Sequence, residues 1–528
     1  MKRRTILQGL GATGAALAAP RIAAAQGTRV LKFIPQSDLT VLDPIWTTAY
    51  VTRNHGFMVF DTLFGSDGDF KASPQMAAGM TLENDGKLVR ITLRDGLKWH
   101  DGEKVLARDC AASIKRWGAR DSFGQTVIAV TDELTAPDDK TIQFRLKKPF
   151  ALLADALGKS SSNFAAMMPE RLALTDPFKQ VTEMVGSGPY KFKASERNVG
   201  HLVVYERNTD YVPNPAGASA WTAGPKVVNF DRVEWHVMPD PGTAAAALQN
   251  GEVDWWENPT ADLLPILRKA GINVSIQDPT GLIGCMRFNQ LQPPFDNPAI
   301  RRAILGAISQ EDFNLAIVGD DPAMSRAGVG VFTPGTPLAS DVGLEPLKGK
   351  RDYDKVKRDL AAAGYKGEKV VFLAPTDLAV LKMQGDIAGD LLKRAGLNVE
   401  VQAMDWGSVV GRRTNKGPND KGGWNVACTF WSGGDHLTPA GHTFLRGTGE
   451  AGGNWGWPTS SALEDLRSQW FDAPDLATQQ KLAQAMQRQV MQDVPYVPLG
   501  QVLQATAYRK NISGIPSGFA MFWNLRKG

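Results

Sequence analysis

The chain is 528 residues long, 43% hydrophobic and 22% charged, with 53 glycines, 32 prolines and a formal net charge of +4. That length exceeds what one hydrophobic core serves, so two or three domains are expected, and the composition is that of an ordinary soluble globular protein. Past the N-terminus no uninterrupted apolar run approaches the roughly 18 residues of a membrane span, and no short internal repeat is visible.

Residues 1–26 read as a signal peptide. Lys2-Arg3-Arg4 is a basic start, Gly9 to Ala19 a mildly apolar middle, and Ala23-Ala24-Ala25 a small-residue cleavage site. Arg3-Arg4-Thr5-Ile6-Leu7 looks like a twin-arginine export motif, a reading that the weak hydrophobicity of the middle and Arg21 favour; a Sec signal with adjacent arginines is the alternative. The segment holds four basic residues and no acidic one. Its removal takes the 59 basic residues to 55, equal to the 55 acidic ones. A net-neutral mature chain has no charge-based case for binding nucleic acid or an anionic membrane.

Downstream, Leu31–Pro35 is strand-like and a helix is expected through residues 49–64. Val89, Ile91 and Leu93 alternate with polar residues as in a half-buried strand. Asp95-Gly96 predicts a two-residue hairpin turn, with Leu97 and Trp99 resuming the alternation. Asp85-Gly86 and Asp101-Gly102 mark two more reversals of a small antiparallel meander. From Ala107 the period changes: Cys110, Ile114 and Trp117 fall on one helical face, and Gly118 ends it. Strands are expected at 190–192, 202–205 and 233–237, then an Ala-rich helix at 243–250. After Asn289 a second α/β pattern follows: helices at 353–363 and 380–395, with strands at 370–374, 399–403 and 426–431. The tail, 496–499 and 502–508, should cross back to the first lobe.

Several stretches, in register, carry a resemblance. Leu93-Arg94-Asp95-Gly96, Trp99-His100-Asp101-Gly102 and Ala107-Arg108-Asp109 match L-R-x-G-x-x-F/W-H/S-D-G followed by A-x-D. Gly186-Ser187-Gly188-Pro189-Tyr190 matches G-T-G-P-Y, and Glu206–Tyr211 matches the end of a strand in R-N-x-x-Y. Ala247–Asp254 matches A-L-x-x-G-E-V-D. Asn289, Pro293–Asp296 and Ile300–Ala303 match N-x(4)-P-F-x-D-x-x-V-R-x-A. In these residues the chain resembles the family 5 extracellular solute-binding proteins, the dipeptide-, oligopeptide- and nickel-binding receptors of bacterial ABC importers. Leu106 departs from the family's Thr or Ser N-cap, a loss of about 1 kcal/mol.

The resemblance implies an α/β, two-lobed periplasmic-binding-protein fold, type II-like, with ligand held in a cleft between the lobes. Its expected parts are lobe I at 27–287 with an extra subdomain at about 75–185, lobe II at 288–499, and a C-terminal segment, 500–528, returning to lobe I. It implies a periplasmic, monomeric, non-enzymatic receptor without a cofactor that closes on a solute, a di- or oligopeptide foremost, and delivers it to the permease. Nickel-chelate or sugar/opine receptors are the alternatives within the family. An exported hydrolase is the alternative outside it.

The chain itself carries no HExxH and no GxSxG, and Gly343–Lys350 has one residue too many for a P-loop, so no direct ATP binding is expected. His436 and His442 are close but lack a third ligand at metal-like spacing, and read as structural or solvated. Cys110, Cys285 and Cys428 form no CxxC; a bridge between Cys285 and Cys428 is compatible with the pattern, and Cys110 reads as a buried thiol. By resemblance, the ligand-binding candidates are Trp406, Arg413, Trp431 and Asp435. Asp435 would pair with a peptide's α-ammonium and Arg413 with its carboxylate, between aromatic walls. The distance from Trp431 to Asp435 is one residue longer than in oligopeptide receptors.

Overall fold

The computed structural model describes residues 29–452 and 454–528. The expected signal peptide and its twin-arginine motif lie outside the described residues. Strand Val30–Ile34 is central in a seven-stranded sheet, between Trp255–Trp256 and Arg232–His236, both parallel to it. Leu202–Arg207 and Tyr190–Phe192 extend one side by antiparallel pairing, and Ala505–Tyr508 and Asn273–Ile276 the other. A second, six-stranded sheet runs in the order Ser325–Arg326, Tyr496–Val502, Leu282–Phe288, Val426–Ser432, Lys369–Pro375, Asn398–Met404. Its inner strands are buried throughout, as near-continuous apolar runs covered on both faces should be. The chain changes sheet at 277–281 and again at 503–504. The expected boundaries, 287/288 and 499/500, fall inside strands of the second sheet. The two crossings make a hinge between two lobes.

The meander forms a third sheet in the order Ala77–Glu83, Leu88–Leu93, Thr141–Leu146, Thr131–Thr135. Its first reversal uses Asn84, Asp85 and Gly86, all with positive φ. The turn expected at Asp95-Gly96 is a correction. Only Gly96 is left-handed there, and the chain leaves the sheet: Arg94 N–H donates to Met76 O, and Lys98 bridges Lys104 around Asp101-Gly102. The partner of Leu88–Leu93 is the distant strand Thr141–Leu146, which local turn residues cannot announce.

The helix Ala107–Gly118 follows as read, with Cys110, Ile114 and Trp117 fully buried. The missing cap at Leu106 is compensated from within the helix. Asp109 Oδ2 accepts from Leu106 N (2.9 Å) and Trp99 Nε1 (3.2 Å), and its Oδ1 from Glu170 N (3.0 Å), so one carboxylate ties turn, helix and following segment.

The cysteine bridge is also corrected. Cys285 lies opposite Thr429, and Cys428 opposite Met286. Residues directly opposite share a face and neighbours along a strand do not, so the two thiols project to opposite faces of the sheet. All three cysteines are free and buried.

Candidate functional site

Helix Tyr50–Val59 of the first lobe and the turn after strand Val426–Ser432 of the second meet between the lobes. The helix is buried all round, polar residues included. Tyr50 and Arg53, three apart, share one face. The turn Gly433–His436 takes up the run from Trp431 to Asp435. Gly433 has to be glycine, because a Cβ there would lie 2.2 Å from Thr280 O. Gly434 N–H donates to Thr280 Oγ1 (3.0 Å), and Ser432 Oγ donates to Asp278 Oδ2 (2.6 Å), which fixes the turn against the crossing segment.

Asp435 is 4% exposed and lines a cavity of about 190 Å³ between the lobes. Its Oδ2 accepts from the Tyr50 hydroxyl, while Oδ1 has no partner within 3.5 Å among the described residues, although the Ser161 hydroxyl stands close enough to stabilise the carboxylate. Burial raises its pKa, against the opposing pull of Ser161, Tyr50, Lys159 and Arg53. An acceptor left open in a buried site costs free energy until something donates to it. Phe123, Leu152 and Trp470 supply an apolar wall.

Arg53 faces this cavity and a smaller one behind it. Its guanidinium lies 4.1 Å from the Tyr50 ring centroid and 4.0 Å from that of Phe519, and donates to Asn54 Oδ1. Three carboxyl groups feel its field: the buried Asp435 and Glu257, and the half-buried Asp278. Glu257 accepts from Gln36 N (2.7 Å) and Asn54 Nδ2 (2.8 Å), yet burial still pushes its pKa up to about 7. Burial raises Asp278 in the same way. Burial holds these three carboxyl groups toward the neutral form, and an added cation would favour their ionised forms.

The other three sequence candidates lie outside these cavities. Trp431 is buried behind Tyr50, its ring 6.4 Å away, and edge-on to Phe444 at 5.3 Å. Arg413 lies over Trp406 (5.3 Å) and Trp455 (4.8 Å) and donates to Thr48 Oγ1 across the lobes at 3.0 Å. Burial alone pushes its pKa down to about 9. The structure thus joins Trp431 to Asp435 through Tyr50, and Trp406 to Arg413, as two separate pairs.

His436 and His442 stack at 3.8 Å with 10° between their planes, fully buried, so the solvated reading is set aside. Burial keeps both neutral, His442 down to about 3. Among the described residues no three His, Cys, Asp or Glu side chains gather as metal ligands would. Sequence reasoning missed Tyr50, Arg53 and Glu257. Their signal was faint: polar groups at helical spacing inside an apolar helix, and an acid just past two tryptophans.

The comparisons agree with this geometry. The family model for bacterial extracellular solute-binding proteins, family 5, middle region, matches residues 71–453. A Sinorhizobium fredii protein named "Probable peptide ABC transporter periplasmic-binding protein" is 34% identical over 100% of this chain and 99% of its own. A glutathione-binding protein of Pectobacterium atrosepticum is 25% identical over 97% and 95%. Among solved structures, a Helicobacter pylori periplasmic binding protein in complex with the peptide STSA superposes with a TM-score of 0.76 at 22% identity, covering 94% of this chain and 98% of that one. An Agrobacterium tumefaciens binding protein in complex with agropinic acid gives 0.76 at 21% identity, covering 94% and 99%. At that identity the likeness concerns the fold. With a matching family model over most of its length and two lobes closed around a charged cavity, the chain belongs to the bacterial extracellular solute-binding proteins of family 5.

Proposed function

We propose that this protein is the periplasmic peptide receptor of an ABC importer. It captures a short peptide between its lobes by hinge closure and hands it to the membrane permease, whose ATPase subunits are separate chains. It acts without a catalytic step or a cofactor. Export follows from the signal peptide read at residues 1–26, by the twin-arginine route. The peptide reading draws on the name of the 34%-identical relative.

The observation that carries it is Asp435, a buried carboxyl group in the lining of the interlobe cavity whose Oδ1 has no partner within 3.5 Å among the described residues. An α-ammonium supplies what that oxygen lacks, a charged donor that needs no side-chain identity. Tyr50 orients the carboxylate, and Trp431 backs Tyr50. A neutral sugar brings no charge to pair with the Asp435 carboxylate.

The test is mass spectrometry of the small molecule that co-purifies with the native protein, followed by titration calorimetry. Short peptides with a free amino terminus should bind, and their N-acetylated forms should not. Recovery of only a sugar, an opine or a nickel chelate would overturn the reading.

A further inference from the structure

We propose that the ligand site continues past the Asp435 cavity into a second interlobe chamber, which receives the carboxyl end of a peptide of three or more residues and pairs it with Arg326. This rests on the peptide reading above and adds the ligand's length and direction to it.

The second chamber is the larger, about 710 Å³ against 190 Å³. Phe70, Trp221 and Trp523 line it from the first lobe, and Arg326, Thr333 and Gln501 from the second. Phe70 and Trp221 line both spaces, so the pair is the partition between them. Their rings meet edge-on at 4.7 Å. Phe70 stands near the tip of the hairpin joining Phe64–Ser66 to Ala72–Pro74, with a left-handed φ of 61°, uncommon for a bulky side chain. A built Cβ on Gly434 would lie 3.1 Å from its ring, so this first-lobe side chain closes directly on the turn that carries Asp435.

Size and charge both send a longer ligand past this partition. At about 190 Å³ the first cavity is about a quarter the size of the second, so a longer peptide finds most of its room beyond the partition. The cations of the first cavity are already engaged: Lys159 is ion-paired with Asp121, and Arg53 is surrounded by carboxylates. A ligand carboxylate finds no free partner there. Among the described residues Arg326 is the only charged side chain lining the second chamber. It donates to Pro334 O at 3.3 Å and has no ion pair among the described residues. Amino end at Asp435, carboxyl end at Arg326 is the direction the two charges define, and the contacting rings of Phe70 and Trp221 have to part for the backbone to cross between the two spaces.

The experiment is titration calorimetry of the full mature protein with Phe-Ala, Phe-Ala-Ala and Phe-Ala-Ala-Ala, as free acids and C-terminal amides. The series is repeated on Arg326→Ala, an exposed position that leaves the fold intact. Affinity should rise with length. Amidation should weaken the tetrapeptide by about three- to fivefold, the size of a solvent-accessible ion pair. In Arg326→Ala that penalty should vanish while Phe-Ala binding is unchanged. An equal amidation penalty in both proteins, or tighter binding of the dipeptide, overturns the second chamber and leaves the peptide reading standing. If no member of the series binds the unaltered protein, the peptide reading fails and the chamber assignment with it.

Discussion

The Tyr50 hydroxyl of the first lobe donates to Asp435 Oδ2 of the second and accepts from the Ser432 amide. One phenol therefore ties the first-lobe helix to both ends of the ligand-facing turn. Burial and the neighbouring carboxylate raise its pKa well above the ordinary range, so it stays a donor at every pH the protein meets. The contact spans the two lobes, so its loss should weigh on the closed form. Tyr50→Phe leaves a buried acceptor and donor with one partner fewer, a cost of about 1–3 kcal/mol. Peptide affinity should fall by that amount, measured by calorimetry, while ligand-free unfolding in urea moves little. A large loss of ligand-free stability with unchanged affinity would place the contact in the open form too.

Asp435→Asn probes the carboxylate itself. The substitution keeps the shape and removes the charge, so a bound ammonium would lie desolvated with no counterion. Affinity should drop by about 2–5 kcal/mol, mostly through faster release seen in stopped-flow displacement. Combined with Tyr50→Phe, the effects should be less than additive by about 1 kcal/mol or more, since both act on one hydrogen-bonded unit. Unchanged affinity in the single variant would mean that the ligand is not an amine held here.

Glu257 offers a pH readout. Its folded pKa, about 7, lies above the ordinary glutamate value of 4.5 because burial disfavours the charged form. Between those values the folded state holds more protons than the unfolded one, so its contribution to stability falls as pH rises. Over pH 5 to 8 the loss is about 2–3 kcal/mol. The buried histidines, shifted down to about 3, act oppositely up to about pH 6.5, and their effect cancels when variant and unaltered protein are compared. Urea denaturation should therefore find Glu257→Gln gaining on the unaltered protein from pH 5 to pH 8. A constant difference across that range would show that Glu257 titrates normally.

Export can be tested without the folded protein's geometry. With Arg3-Arg4 ahead of a weakly apolar stretch, replacing both by Lys should leave precursor in the cytoplasm, read by fractionation and immunoblot. Normal secretion of the double variant would support the Sec alternative.

Much of the fold was legible where one face of an element repeats. Helix Ala379–Arg394 and strand Asn398–Met404 fall within a residue of their expected ends because periodicity survives in any context. The meander was legible at Asp85-Gly86, which reverses Ala77–Glu83 into Leu88–Leu93, but not on the other side, where Leu88–Leu93 meets Thr141–Leu146 across some fifty residues. Asp435 was reachable through the resemblance. Arg53 and Glu257 were not, because nothing local tells a buried polar group in a site from an exposed one on a surface. Only the meeting of helix Tyr50–Val59 with strand Trp255–Trp256 gives them a role.

Arg413 separates two accounts of the second lobe. It is 4% exposed, stacked on Trp406 and Trp455, bonded to Thr48, and paired with no carboxylate among the described residues. Burial of the unpaired charge costs several kcal/mol, and its pKa near 9 records that cost. Stacking on two indoles returns only about 1–2 kcal/mol. Methionine has a similar reach and no charge, so Arg413→Met should hold or raise stability by about 1 kcal/mol in urea denaturation. Because the folded pKa is depressed, the penalty applies at all pH values below about 9 and fades only above it, so the gain should be constant from pH 6 to 8. Peptide affinity should change less than threefold, since Arg413 lines neither interlobe chamber. A loss of tenfold or more, confined to peptides with a free carboxylate, would instead make Arg413 the carboxylate's partner and displace Arg326 from that role.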